Sequence, residues 1–344
     1  MTTSYIPVAE VTRGDFVESI HHAAAAVVDH KGELIAQLGS ADYVIYARSS
    51  LKPFQALAAV QRGFPDRFGL TDRHLALACA SHSAEDRHLE TAREMLDAIG
   101  VTVDDLGCGA QIPLLYSYSN QAVPPKESFT PLHNNCSGKH LGMLALAKLL
   151  DSPTVNYLEY DSPVQTVIRE QIFAALELEP NGVPAAIDGC SVPNYAVPLH
   201  ALARGFARLA ASVGPDPAWN GDLGAASARI VSAMRTHPEM ISGDGRFDLE
   251  LARGTNGRVF SKAGGEAVEC LGIPERNWGI AVKIIDGHHR ALGALVVWIL
   301  NELGLLSDSE LQALDTYVHP VLRNHRGWQI GTIRMIGQLN WLKR

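Results

Sequence analysis

The sequence predicts a mixed α/β chain of the α+β kind, with an antiparallel sheet built from both chain ends and a helical body between them. Three observations lead there. β-Branched and aromatic runs punctuated by glycine sit near the two termini. The middle of the chain changes to a helical period with recognisable start signals. No internal repeat, low-complexity tract or linker divides the 344 residues, so a single domain over 1–344 is expected, its sheet part at about 1–48 and 263–344 and its helical part at about 49–262.

Taken in order, the apolar runs 23–28 and 34–38 flank Asp29-His30-Lys31-Gly32, whose glycine suits a turn with positive φ. A hairpin is expected there. Residues 43–46 add a third short strand that ends at Arg48-Ser49, and strands are expected again at 278–285, 291–300 and 328–335. Between them, Asp161-Ser162-Pro163 is a cap-plus-proline helix start, and Val164, Val167, Ile168, Ile172 and Leu176 follow on one face. Residues 85–99, 139–150, 199–209 and 225–234 read as helices on the same grounds. The proline-bearing stretch 113–131 is the longest irregular segment, and loops of that length often carry function.

Composition narrows the classes. With 47% hydrophobic residues the chain can bury a large core. Its net charge of -8, with acids and bases interspersed, excludes a nucleic-acid footprint. The five cysteines, Cys79, Cys108, Cys136, Cys190 and Cys270, form an odd set without a CxxC pair. Reduced thiols and a cytoplasmic location fit that usage better than a secreted disulfide scaffold. The first residues lack the basic start and apolar run of a signal peptide. The apolar run 291–300 falls far short of the ~20 residues a membrane span needs, so no membrane partner is expected.

The chemistry centres on Arg48-Ser49-Ser50-Leu51-Lys52-Pro53, which sets a serine three residues before a lysine, one helical turn away. A serine hydroxyl becomes a nucleophile when a base takes its proton, and a lysine is such a base once burial and neighbouring positive charge favour its neutral form. With 21 serines and 8 lysines in the chain, chance alone gives about 0.5 such spacings, and there is one. The plain alternative is a helix-start serine followed by a solvated lysine. Ser50 stands two residues before Lys52 and reaches it less well, so Ser49 is the better nucleophile.

Four further clusters stand out. Ser83, before Glu85 and Asp86, suits a helix cap, whereas Ser81 and His82 are free to face a pocket. Asn134-Asn135-Cys136-Ser137-Gly138-Lys139-His140 places a thiol at a helix start, where free N–H groups lower a thiol pKa. Asp188-Gly189-Cys190-Ser191-Val192-Pro193 holds another thiol in a turn, and two buried cysteines remain the simpler reading from spacing alone. Ser261-Lys262 precedes a glycine pair that would let backbone approach a ligand. His288-His289 reads as a loop.

Taken together, residues 48–55, 80–85, 134–140 and 188–193, with His237-Pro238-Glu239-Met240 and 282–287, resemble in content and in order the rhizobial-type L-asparaginases, the class 3 or asparaginase II family. The resemblance spreads over most of the chain. It implies a serine β-lactamase and glutaminase-like fold and hydrolysis of L-asparagine to L-aspartate and ammonia. It also implies two Ser-Lys tandems, Ser49 with Lys52 and Ser81 with Lys262, a zinc site of Cys136, Lys139 and Cys190 that aids substrate binding, and a homodimer. For the two charged ends of asparagine, Arg48 and Asp188 are the candidates, with His82 as polar support. A glutamine- or β-lactam-directed Ser-Lys enzyme and a zinc-binding protein without turnover are the rival readings.

Overall fold

The computed structural model describes residues 4–343. From the N-terminus come β1 (Ile6–Arg13), β2 (Phe16–Asp29), β3 (Leu34–Leu38) and the short β4 (Val44–Tyr46); β5 (Ala185–Ile187) and β6 (Pro193–Pro198) interrupt the helices. Then follow β7 (Phe260–Gly264), β8 (Val268–Ile273), β9 (Trp278–Ile284), β10 (Val321–Arg323), β11 (Gln329–Met335) and β12 (Asn340–Trp341). The large sheet runs β10-β11-β1-β2-β9-β8-β7, with β3 beside β2 and β12, and its paired neighbours are antiparallel. Both chain ends therefore supply it, as the sequence pattern leads one to expect.

The β2–β3 hairpin closes on Gly32 at φ 90°, while Asp29 Oδ1 accepts from the backbone N–H groups of Lys31 at 2.9 Å and Glu33 at 2.8 Å. From Ala23 to Val28, strand β2 is buried on both faces. Its Ala24, Ala26 and Val28 join the core beneath the helical body, and its Ala23, Ala25 and Val27 join the core on the opposite face. Covered on both sides, it reads as a run of alanine and valine rather than an apolar–polar alternation.

The body contains α1 (Lys52–Val60), α2 (Asp72–Ala78), α3 (Asp86–Ile99), α4 (Ser137–Leu149), α5 (Pro163–Leu176), α6 (Leu199–Ala211), α7 (Gly221–Thr236), α8 (Pro238–Ile241) and α9 (Phe247–Gly254). Helix α5 starts where the cap motif places it, Ser162 Oγ accepting the Gln165 N–H at 3.2 Å. Close packing rests on glycines. A Cβ on Gly138 would lie 2.3 Å from the Leu77 carbonyl oxygen, so α4 can approach α2 only without one. A Cβ on Gly279 would lie 1.9 Å from the Ala203 oxygen, where α6 crosses β9.

Two expectations change. Residues 291–300 are not a strand but most of α10 (Leu292–Glu302), which with α11 (Asp308–Ala313) and α12 (Asp315–Val318) covers the outer face of the sheet. Its run is apolar almost all round, which hides the helical period; length and leucine content were the better guide. The strand near residue 45 exists but leaves the large sheet, forming β4-β6-β5 with the turn that carries Cys190.

Gly279→Ala is expected to lower stability by about 2–3 kcal/mol through overpacking against α6. Urea denaturation checks this, and an unchanged midpoint would contradict the packing described.

Candidate active site

The chain leaves β4, and Ala47 N–H donates to the Tyr195 oxygen of β6 at 3.1 Å. Arg48 then adopts φ 55°, the left-handed region that a non-glycine residue enters at a cost of about 1–3 kcal/mol. The Asn194 Oδ1, accepting the Arg48 N–H at 2.9 Å, holds it there. The kink turns Ser49 into a cavity of about 430 Å³, while Ser50 is fully buried and donates its hydroxyl to the Ala47 oxygen at 2.6 Å. Ser50 is thereby spent on local structure. Lys52, one turn after Ser49, opens α1 and is 1% exposed.

Ser81 enters from the loop after α2. That loop is held extended by N–H donation from Ser81 to the Ile241 oxygen at 2.9 Å and from His82 to the Asn135 oxygen at 3.1 Å. Lys262 enters from β7, the last strand of the large sheet, and is 0% exposed. Both amines converge on one hydroxyl: Lys52 Nζ and Lys262 Nζ each donate to Ser81 Oγ at 2.9 Å. Lys52 also donates to the Ala80 oxygen at 2.5 Å and Lys262 to the Ala263 oxygen at 2.7 Å. Among the described residues no hydrogen bond joins Ser49 Oγ to Lys52 Nζ, so the two Ser-Lys tandems take the form of one hub centred on Ser81, with Ser49 in the same cavity.

Burial pushes both amines toward the neutral form. For Lys52 the charge of Lys139 adds to burial, and the Cys136 and Cys190 thiols oppose it. Lys262 is pushed down to about 7 by burial, with Lys52 and Arg246 adding and Asp248 and Glu269 opposing. Glu269, itself 1% exposed, has its carboxyl pushed up by burial and by Asp248. A neutral amine among such neighbours can accept a proton near neutrality.

The thiols form a second cluster on the wall of the same cavity. Lys139 Nζ lies 2.8 Å from Cys190 Sγ, and Cys136 Sγ donates to Asn135 Oδ1 at 3.0 Å. Hydrogen bonding to Cys190 holds the Cys136 thiol well below its ordinary value, helped by Lys52 and Lys139, and Cys190 is pushed up in return. Although burial works against it, Lys139 is pushed up by both sulfurs. Two sulfurs and one amine suit zinc as a donor set, given loss of the lysine proton. Among the described residues no three His, Cys, Asp or Glu side chains stand together as ligands, so a three-ligand site here depends on Lys139.

Arg48 and Asp188 meet each other, Arg48 Nε donating to Asp188 Oδ1 at 2.8 Å. This leaves the terminal nitrogens of Arg48 and the second oxygen of Asp188 for a ligand in the cavity that both line. The guanidinium lies against Gly265, where a Cβ would come within 3.0 Å of Arg48 Cζ. His82 is a correction: it does not line the cavity. It is fully buried beneath it, Nδ1 accepting the Ala84 N–H at 3.1 Å and Nε2 lying 2.8 Å from Ser137 Oγ. Both ring nitrogens are already satisfied, and burial keeps the ring neutral.

Other lining residues were invisible in the motifs. Arg246 donates to the Ser81 carbonyl and stands 5.8 Å from the Tyr118 ring. Tyr118 and Leu114 belong to the irregular stretch 113–131, which thus borders the site. His289 also lines it, contrary to the plain loop reading. Asn194, which holds Arg48 without lining the cavity, lies one residue beyond the Asp188–Pro193 motif and was the nearest to being found; nothing in the sequence separates Arg246 from the other arginines.

Residues 9–335 match the family model described as L-asparaginase II. No curated protein sequence matches the chain. Similar solved structures include a β-lactamase from Mycobacterium bovis, 15% identical over 81% of this chain and 94% of that one with a TM-score of 0.42. Another is Mglu, 17% identical over 82% of this chain and 67% of that one with a TM-score of 0.39.

Since Lys262 falls from the ordinary 10.5 to about 7 on folding, the unfolded chain holds that proton more tightly. The resulting penalty is full below about pH 7 and fades as pH rises toward the ordinary lysine value. Lys262→Met is expected to raise the urea midpoint at pH 7 and to gain less at about pH 10. A lower midpoint at pH 7 would argue against a strained amine.

Proposed function

We propose that this chain, which belongs to the L-asparaginase II family, hydrolyses the side-chain amide of L-asparagine through an acyl-enzyme on Ser49. The observation that carries the reading is the pair of buried amines sharing Ser81 Oγ at 2.9 Å in the cavity that Ser49 lines.

Ser49 Oγ attacks the amide carbon while its proton passes to the amine pair, Lys52 acting as the base and Ser81 as the bridging hydroxyl. The backbone N–H of Ser49, at a helix start, stabilises the oxyanion, a kind of donor whose loss costs ~10²–10³ in rate. Collapse of the tetrahedral intermediate breaks the C–N bond, and the proton returns through Ser81 and Lys262 to the departing ammonia. Water then attacks the ester, giving the aspartate side-chain carboxyl and restoring the Ser49 hydroxyl. The terminal nitrogens of Arg48 receive the substrate carboxylate, and the free oxygen of Asp188 receives its ammonium.

Cys136, Lys139 and Cys190 would hold one zinc ion. When bound, it would add positive charge to the wall of the cavity near the substrate's carboxylate. The family reading also carries a cytoplasmic homodimer with a small-molecule substrate.

Four measurements test this. Compared at equal enzyme concentration, asparagine is expected to release ammonia faster than glutamine, with a chromogenic β-lactam unreactive; turnover of the lactam alone would overturn the reading. Ser49→Ala is expected to lose at least ~10⁴ in kcat with the fold retained. The activity should rise through an acid limb near pH 7, because Lys262 must shed its proton to accept one. Elemental analysis should find zinc in the native protein and none in the Cys136→Ser/Cys190→Ser double variant, and equal metal in both would reject the site.

A further inference from the structure

We propose that Arg246 and Asp248, two residues apart at the start of α9, are positioning residues that together fix Lys262 against Ser81. Each is buried, Arg246 8% and Asp248 5% exposed, and among the described residues no hydrogen bond or ion pair joins them to each other. Instead each spends its charge on the backbone or side chains of a different half of the hub. Arg246 donates to the Ser81 carbonyl. Asp248 Oδ1 accepts the Ala263 N–H at 2.8 Å and lies 3.4 Å from the Ser261 hydroxyl that donates to it, gripping β7 on both sides of Lys262.

The grip matters because β7 is the last strand of its sheet. The Ala263 N–H points away from β8 and would be left without a partner if Asp248 were removed. The Ala263 oxygen also holds the second Lys262 N–H, at 2.7 Å, so a shift of β7 would carry the amine off Ser81. One short segment, 246–248, therefore ties the loop of Ser81 to the strand of Lys262. Asp248 has a second effect through charge. The titratable groups facing Lys262 are Lys52, Cys79, Arg246, Asp248, Glu269 and Cys270, and Asp248 is foremost among those that favour its protonated form.

This inference rests on the amidohydrolase reading above, and the experiment separates the two. Ammonia release from asparagine is measured against pH for the native protein, Asp248→Ala and Asp248→Asn, with urea midpoints for all three. Asp248→Ala is expected to lose about 100-fold in kcat with KM within about twofold, the scale of a 1 Å misplacement. Asp248→Asn keeps an acceptor for the Ala263 N–H and should recover at least about tenfold of that loss. Because it lacks the carboxylate charge, its acid limb should lie at lower pH than that of the native protein.

A folded Asp248→Ala with native kcat and acid limb would overturn the proposal, as would an Asp248→Asn as impaired as alanine with an unshifted limb. Should alanine fail to fold, the limb of Asp248→Asn decides. If the native protein releases no ammonia, the functional reading fails, and the pH midpoint of the Lys262 Nζ resonance, followed in protein carrying nitrogen-15 lysine, takes over as the readout. A lower midpoint in Asp248→Asn then supports the clamp and an unchanged one rejects it.

Discussion

Two lysine amines buried against one hydroxyl are the constraint around which this molecule is arranged. Lys52 and Lys262 are 1% and 0% exposed, yet both donate to Ser81 Oγ. Two ammonium ions that close, without water, would be costly, and a desolvated pair relaxes by giving up a proton. Relief comes from a lowered pKa at Lys262 and from carbonyl acceptors at Ala80 and Ala263. Carboxyl groups lie behind the hub, at Asp248 and Glu269, rather than in contact with it. A carboxylate bonded directly to either amine would keep it protonated and abolish its use as a base.

The fold supplies each partner from a different place. Helix α1 brings Lys52, the loop after α2 brings Ser81, and the last strand of the large sheet brings Lys262. Their meeting depends on close backbone approach. Strand β7 passes the Ala47–Arg48 turn so tightly that a Cβ on Gly264 would stand 2.9 Å from the Ala47 oxygen. Arg48, held at φ 55° by Asn194, stores local strain at the residue before Ser49. Large-sheet stability, helix packing and site geometry are thus one problem: loosening the edge strand would disturb both Phe260 in the core and the alignment of Lys262.

How much of this could be read from the chain follows the distance between partners. Features made within one turn were legible: the β2–β3 hairpin around Gly32 and the α5 start at Ser162-Pro163. The family-level reading rests on the order of short motifs, and the match over residues 9–335 agrees with it. Contacts made across the chain were legible only where the resemblance supplied them, as for Ser81 with Lys262 and Lys139 with Cys190. Serine–lysine tandems paired by proximity in sequence or by resemblance gave no hint that Lys52 points to Ser81, 29 residues away. Arg246 and Asp248 lie in no motif, because a residue that grips backbone is free of any fixed spacing to what it holds. His82 sits in a motif but turns inward, since its neighbours offer it Ser137 and the Ala84 N–H. The α10 segment misled for another reason: burial on every side erases the periodicity that identifies a helix.

The most direct test of the hub is the protonation state of its amines. In protein carrying nitrogen-15 lysine, the Nζ resonances can be followed through a pH titration, with Lys262→Met and Lys52→Met assigning them. The account predicts one lysine, absent from Lys262→Met, that titrates near 7. If every lysine titrated near 10.5, the value of a free lysine, the buried amines would be plain ammonium ions and the hub could not act as a base.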